Sequence, residues 1–299
     1  MSAQISDVSF ESATPSVFDQ RVCELGEGTL WHPERQQLFW FDILGKRLLT
    51  RDGGKAEEIA FDTHVSAAGW IDWDRLMVAS ETGLLQFELG SGRCEMVFAL
   101  EADNPATRSN DGRADPWGGF WIGTMGKHAE PRAGAIYRYY RGAIRRLFAP
   151  ISIPNAICFD PERCFACFAD TPDGKIWRQP LQSSDGWPVG DPEVFIDLGP
   201  RGVAPDGAVI DRAGRLWNAQ WGSGRIACYG ADGQFLGAIA FPTAQTTCPA
   251  FGGPGLSTLF VASASEGMSD ADRAAQPNAG MTFASATAAT GQAEHRVVL

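Results

Sequence analysis

Apolar residues along this chain fall in short alternating runs, broken by turns rich in Gly, Asp and Pro, and no segment sustains a 3.6-residue period. That pattern predicts strands and excludes a helical solenoid. Three stretches, SNDGRADPWGGFWIGTM, PNAICFDPERCFACFADTPDGKIWRQP and PDGAVIDRAGRLWNAQWGSGRIACY, share one frame. Each has a polar residue, a short apolar strand, a turn at Asp, a second apolar strand and a Gly that opens a third. Phe120 and Trp121 stand ten and eleven positions after Asn110, as do Leu216 and Trp217 after Asp206, Leu76 and Met77 after Ser66, and Phe165 and Ala166 after Asn155. Glu27 and Cys248 start two more frames with one extra residue. Third strands are predicted from Gly45, Gly83, Gly134, Gly174, Gly224 and Gly280, and outer strands at EEIAF, EMVFA, IRRLF, EVFID, FLGAIA and HRVVL.

Four short strands repeated six times, at about 40 to 50 residues each, predict an all-β fold: a six-bladed β-propeller with four antiparallel strands per blade, as one domain over residues 1–299. Either VFDQRVCEL near the start or HRVVL at the end has the pattern to supply the last outer strand.

In such a ring the first strand of each blade lines the central channel, so the frame-start residues meet at one mouth. Glu27, Ser66, Asn110, Asn155 and Asp206 converge there. Two carboxylates and an amide oxygen facing each other repel unless a cation lies between them. Glu27, Asn155 and Asp206 are therefore candidate ligands of one hard divalent ion, with Ca²⁺, Mg²⁺ or Mn²⁺ favoured and Fe²⁺ or Zn²⁺ admissible.

Composition narrows the partners. The chain has 299 residues, 44% of them hydrophobic, and a formal net charge of −11 without any Lys/Arg block. That argues against nucleic acid and anionic membranes and for a small molecule. With no leader-like start and no apolar run of about 18 residues, the expected location is the cytoplasm. Seven unevenly spaced cysteines suggest reduced core residues, Cys164 and Cys167 of CFAC included. The ten tryptophans are expected between blades. The four histidines form no H-E-x-x-H pair, and no G-x-S-x-G elbow is present, which disfavours zinc-protease and serine-hydrolase chemistry. His32 occupies a turn position filled by Asp115, Asp160 and Asp211 elsewhere and is expected to be structural. His64, two residues before Ser66, is a candidate to overlook the site.

LGEGTLWHP around Glu27, RSNDGRADPWGGFWIGTM around Asn110, IPNAICFD around Asn155 and APDGAVIDRAGRLWNAQWG around Asp206 resemble, in order and spacing, the gluconolactonase, regucalcin and senescence-marker-protein family. The resemblance covers nearly the whole chain. It implies a divalent metal held by Glu27, Asn155 and Asp206, a sugar lactone contacted by Arg108 and Asn110, and hydrolysis of aldonolactones to aldonic acids. The residue chemistry agrees: a cation polarises a lactone carbonyl, Asp206 is both ligand and candidate proton acceptor, and Arg108 offers a fork of donors. A metal-dependent esterase or phosphotriesterase is the enzymatic variant, and a calcium- or protein-binding propeller without catalysis is the rival.

In one place the chain departs from the family pattern. Where many relatives carry an acid shortly after GTM, this chain has Lys127 and His128, leaving Glu130 as the only nearby substitute. If these two overhang the mouth as substrate contacts, Lys127 should favour lactones bearing a distant anionic group, uronic, phosphorylated or sulfonated.

Overall fold

The computed structural model describes residues 14–52 and 54–299. They form six four-stranded antiparallel sheets arranged as blades around a channel. Blade 1 runs from Gly26–His32 through Gln37–Asp42 and Arg47–Asp52 to Lys55–Ala60. The inner strands of blades 2 to 6 are Val65–Asp72, Thr107–Ala114, Pro154–Asp160, Ala204–Ile210 and Thr246–Gly252. Each inner strand touches the inner strands on both sides, and that of blade 6 packs on that of blade 1. The ring is closed.

The alternating pattern encodes this closure, because both faces of each blade are buried against neighbours. One apolar cluster forms between every adjacent pair of blades: Leu30, Phe41 and Val78 between blades 1 and 2, for example, and Trp31, Leu38 and Phe260 between 6 and 1. Tryptophans serve these joints. Trp121 meets Phe159 edge-on across blades 3 and 4, Trp217 meets Phe251 across 5 and 6, and Trp31 stacks on Phe260.

The turn after each inner strand explains the repeated Asp. Asp115 Oδ1 accepts from the backbone N–H groups of Trp117 and Gly119, and Asp211 Oδ1 from those of Ala213 and Arg215. His32 does the same work with a ring nitrogen: its Nδ1 accepts from Arg35 N at 3.2 Å, while Nε2 lies 3.0 Å from Asp72 O. Burial lowers its pKa, which keeps the neutral tautomer this acceptor role requires.

The last blade is closed from the N-terminal side. Ser16–Asp19 pairs with Thr282–Ala286 as its outer strand, Ser16 opposite Ala284 and Val17 opposite Phe283. Asp19, fully buried, ties this strand to blade 1 through Arg21 and Arg51. HRVVL is thus not an outer strand. It belongs to a C-terminal strap that crosses the channel end opposite Glu27. Arg212 N donates to Thr290 O, Val297 N to Trp70 O and Val298 N to Gly118 O, so the strap ties blades 5, 2 and 3 together. Where blades already fill their own outer positions, a further alternating segment has no edge to join, and it caps the channel instead. All seven cysteines are free; Cys23, Cys158, Cys167, Cys228 and Cys248 are buried, but Cys94 is exposed and Cys164 half-buried, so these two are not core residues.

Glu294 of the strap pairs with Arg113 inside the channel, both side chains almost fully buried. Glu294→Ala should cost about 3 kcal/mol because it strands a buried guanidinium. Glu95→Ala, which breaks an exposed pair with Arg93, should cost well under 1 kcal/mol. Urea denaturation of both variants checks this; equal costs would show that the strap is loosely attached.

Candidate active site

Every inner strand slips its register against the second strand at the same level. The slips fall between Glu27 and Leu30, Val65 and Ala67, Ser109 and Gly112, Asn155 and Cys158, Pro205 and Ala208, and Thr246 and Pro249. A bulge re-aims side chains, and here it turns Glu27, Asn110, Asn155 and Asp206 into the mouth. The backbone shows the cost. Gly28 and Ala156, which follow Glu27 and Asn155, both have φ of 56°. At Gly28 a Cβ would stand 2.1 Å from Ser66 O, so only glycine fits. Ala156 accepts a conformation uncommon for a residue with a Cβ.

A cavity of about 500 Å³ opens at this mouth, lined among others by Glu27, Arg108, Asn110, Asn155, Asp206, Lys127 and His128. Seven residues singled out in the sequence thus share one cavity. Two frame-start residues do not reach it: Ser66 turns its hydroxyl to Ser109 Oγ and Asn110 O at 2.8 and 2.6 Å, and Cys248 is buried behind. His64 stands outside the lining too, its Nδ1 bonded to Glu81 Oε2. Glu130 is exposed, accepting from His128 N at 3.0 Å.

Hydrogen bonds fix the polar floor. Asn110 Nδ2 donates to Pro154 O at 3.0 Å and to Asn155 Oδ1 at 3.3 Å. Asn155 Nδ2 donates to Thr171 Oγ1 at 2.9 Å, and Thr171 Oγ1 in turn to Pro205 O at 2.8 Å. The amide of Asn155 is therefore oriented, with its oxygen on the side of Asn110. Arg108 donates from one terminal nitrogen to Ser109 O and Asn110 Oδ1, both at 2.8 Å. Its Nε, buried, has no partner among the described residues.

Glu27 and Asp206 lie in hydrogen-bonding contact with each other, both buried. Burial and then the charge of Asp111 push Glu27 up to about 8. Burial, then Glu27 and Asp111, hold Asp206 well above the carboxylate range. Asp111 lies deeper, pushed up to about 6 by burial although Ile157 N donates to its Oδ2 at 2.8 Å. Arg108 is lowered by burial, against the pull of Glu266 and Glu27. Among the described residues no group of three or more His, Cys, Asp and Glu side chains is arranged to hold a metal. A cation here would therefore rest on a mixed set of oxygens with Asn155 in it. The donor chemistry fits: two buried carboxyls in mutual contact are what a divalent ion would relieve, and oxygen ligands suit a hard one.

Several residues in or beneath the cavity escaped the frame argument. Asp111, which is buried and does not line the cavity, sits beside Asn110 in SNDG, an acid visible in the motif but hidden by the alternation rule that the bulge breaks. Thr171 and Glu266 follow the second strands of blades 4 and 6 and Trp221 ends that of blade 5, at the level where GTMGK ends that of blade 3. That shared offset was the available signal.

A six-bladed propeller with a polar, acid-bearing channel mouth under loops from several blades defines the class. Residues 25–265 match the family model described as the SMP-30/gluconolactonase/LRE-like region, and the chain belongs to that family. It is 39% identical to a crystal structure described as a calcium-binding protein, regucalcin, from Agrobacterium tumefaciens str. C58, with a TM-score of 0.94 over 97% of this chain and 99% of that one. It is 36% identical to an L-arabinolactonase of Azospirillum brasilense, over 91% of both chains. A 6-deoxy-6-sulfogluconolactonase of Pseudomonas putida is 33% identical over 90% of this chain and 94% of its own.

The paired acids give a pH prediction for metal-free protein. Glu27 ionises near 4.5 when unfolded and near 8 when folded, so in between the folded chain holds a proton that the unfolded chain has released. Glu27's contribution to stability must then fall as pH rises from 5 to 8.5, opposed below pH 6.5 by His32 and His295, whose pKa values burial lowers from 6.5. Asp206→Asn removes one member of the pair and should flatten the fall. Urea midpoints in chelator above the histidine range test it; a wild-type midpoint that rises there would contradict the buried pairing.

Proposed function

We propose that this protein hydrolyses sugar lactones to the corresponding acids in the cavity at the channel mouth, with a divalent cation held by Glu27, Asn155 and Asp206. The observation that carries the reading is the meeting of two buried carboxyls, an oriented amide and a buried arginine in one cavity. The relatives named as lactonases give the substrate class.

When bound, such a cation supplies Lewis acidity to a carbonyl under attack. The chain's own groups do the rest. Arg108, which lines the cavity, offers its guanidinium charge to the lactone oxygens, where negative charge develops as the carbonyl becomes tetrahedral. Asn110 holds Arg108 through its Oδ1 and is itself pinned by Pro154 O, so the guanidinium meets the substrate without reorganising. Asp206 accepts the proton of the attacking water at its carboxylate. Collapse of the tetrahedral adduct breaks the bond from the carbonyl carbon to the ring oxygen, and that oxygen leaves as an alcohol with the proton from Asp206. Wall residues such as Met125, Ile153 and Trp221 supply apolar surface for the faces of a sugar ring.

Asp206→Asn keeps an oxygen and the shape but loses the charge and the proton acceptor. It should lower kcat for aldonolactone hydrolysis on the order of 100-fold with folding intact. Arg108→Ala should cost about 10- to 100-fold in kcat/KM, the scale of one charged hydrogen bond. A pH-indicator assay on a panel of aldonolactones reads both. Chelation should abolish the reaction and a divalent ion restore it; full turnover in protein shown metal-free by elemental analysis would overturn the cation's part.

A further inference from the structure

Lys127 reaches the cavity wall from the loop after the second strand of blade 3, and its ammonium has a partner that the sequence did not show. Nζ lies 3.3 Å from Oε1 of Glu81, which sits in the tight turn between the second and third strands of blade 2. The other oxygen of Glu81 is bound by His64, through both backbone N–H and ring Nδ1. Glu81 is itself absent from the cavity lining. It stands behind Lys127 as a counter-charge anchored from a second side. Burial works against its ionisation, but His64 and Lys127 hold it below the usual carboxylate range, so it is charged at neutral pH.

The opposite wall carries the other half of the pattern. Blade 6 lies across the channel from blade 3, and Glu266 lines the cavity from the loop after its second strand. A lactone whose carbonyl lies over Glu27 and Asp206 has two charged walls for a distal substituent. Towards blade 3 it meets a lysine already neutralised by Glu81. Towards blade 6 it meets a carboxylate.

We propose that Glu81 sets the charge selectivity of this cavity: by pairing with Lys127 it makes the site one for neutral polyhydroxylated lactones and against lactones bearing an anionic group away from the carbonyl. The proposal rests on the lactonase reading and reverses the preference expected from Lys127 alone. Glu81 acts through Lys127 and is a positioning residue. Removing its charge while keeping its shape leaves Lys127 free to receive an anion, and a charge–charge contact in a half-buried cleft is worth about 1 to 2 kcal/mol, roughly tenfold in a rate ratio.

The test compares kcat/KM for D-glucono-1,5-lactone and its 6-phosphate in wild type, Glu81→Gln and Glu81→Gln/Lys127→Met, at two salt concentrations. The wild type should favour the neutral lactone. Glu81→Gln should shift the ratio about tenfold towards the phosphate, less at high salt, and the second substitution should abolish the shift. A ratio that stays within twofold across the three proteins overturns the proposal, since a merely structural Glu81 lowers both rates together. Calorimetric titration with 1,5-anhydro-D-glucitol and its 6-phosphate, which lack a hydrolysable bond, asks the same question of binding. Should the protein hydrolyse no lactone, the functional reading fails, and the affinity ratio still decides whether Glu81 governs charge: a tenfold shift in Glu81→Gln upholds it and none refutes it.

Discussion

Glu27 and Asp206 come from blades 1 and 5, and nothing but closure of the ring brings them into contact. Each is buried, each is held above the carboxylate range by burial and by its acidic neighbours, and together they place at the channel mouth a pair of buried ionisable groups that a fold optimised for stability alone would not carry. The rest of the structure surrounds that pair. Bulges in the inner strands of blades 1, 3, 4 and 5 aim Glu27, Asn110, Asn155 and Asp206 into the mouth, and the left-handed turns at Gly28 and Ala156 accommodate them. Asn110, Asn155 and Thr171 form a chain of hydrogen bonds that runs around the floor from blade 3 to blade 5.

Rigidity at this site has to come from elsewhere, and two devices provide it. The first is the continuous ring of interblade clusters, whose closing joint packs Trp31 against Phe260. The second is attachment across the ring. Ser16–Asp19 completes blade 6 and is tied by Asp19 to blade 1, while the C-terminal strap spans the far end of the channel and buries Glu294 against Arg113. Mouth and strap sit at opposite ends of the same inner strands, so one end is free to bind while the other is sealed.

How much of this was legible in the sequence follows from what kind of contact each feature is. Blade count, strand order and the level of Glu27, Asn110, Asn155 and Asp206 were readable because they repeat with fixed spacing, and His32 could be assigned to its turn because Asp fills that place in other repeats. Ser66 and Cys248 share the spacing yet miss the cavity; spacing fixes a level along the channel, but the local bulge decides which way a side chain turns. The role of HRVVL was not readable because an alternating segment can extend a sheet or cap a channel, and only the filled edge of blade 6 distinguishes the two. Glu81 behind Lys127 was invisible for a different reason: two loops on neighbouring blades meet through interblade geometry, which no repeat frame records.

The most direct measurement is a crystal structure of the protein soaked in Mn²⁺ together with a slowly hydrolysed lactone, with anomalous scattering used to find the ion. The expected result is one anomalous peak within ligand distance of Glu27, Asn155 and Asp206, with the lactone beside it and a lactone oxygen within reach of Arg108. A peak elsewhere, or a lactone seated away from Asp206 in a crystal that still turns over, would contradict the assignment of this mouth as the active site.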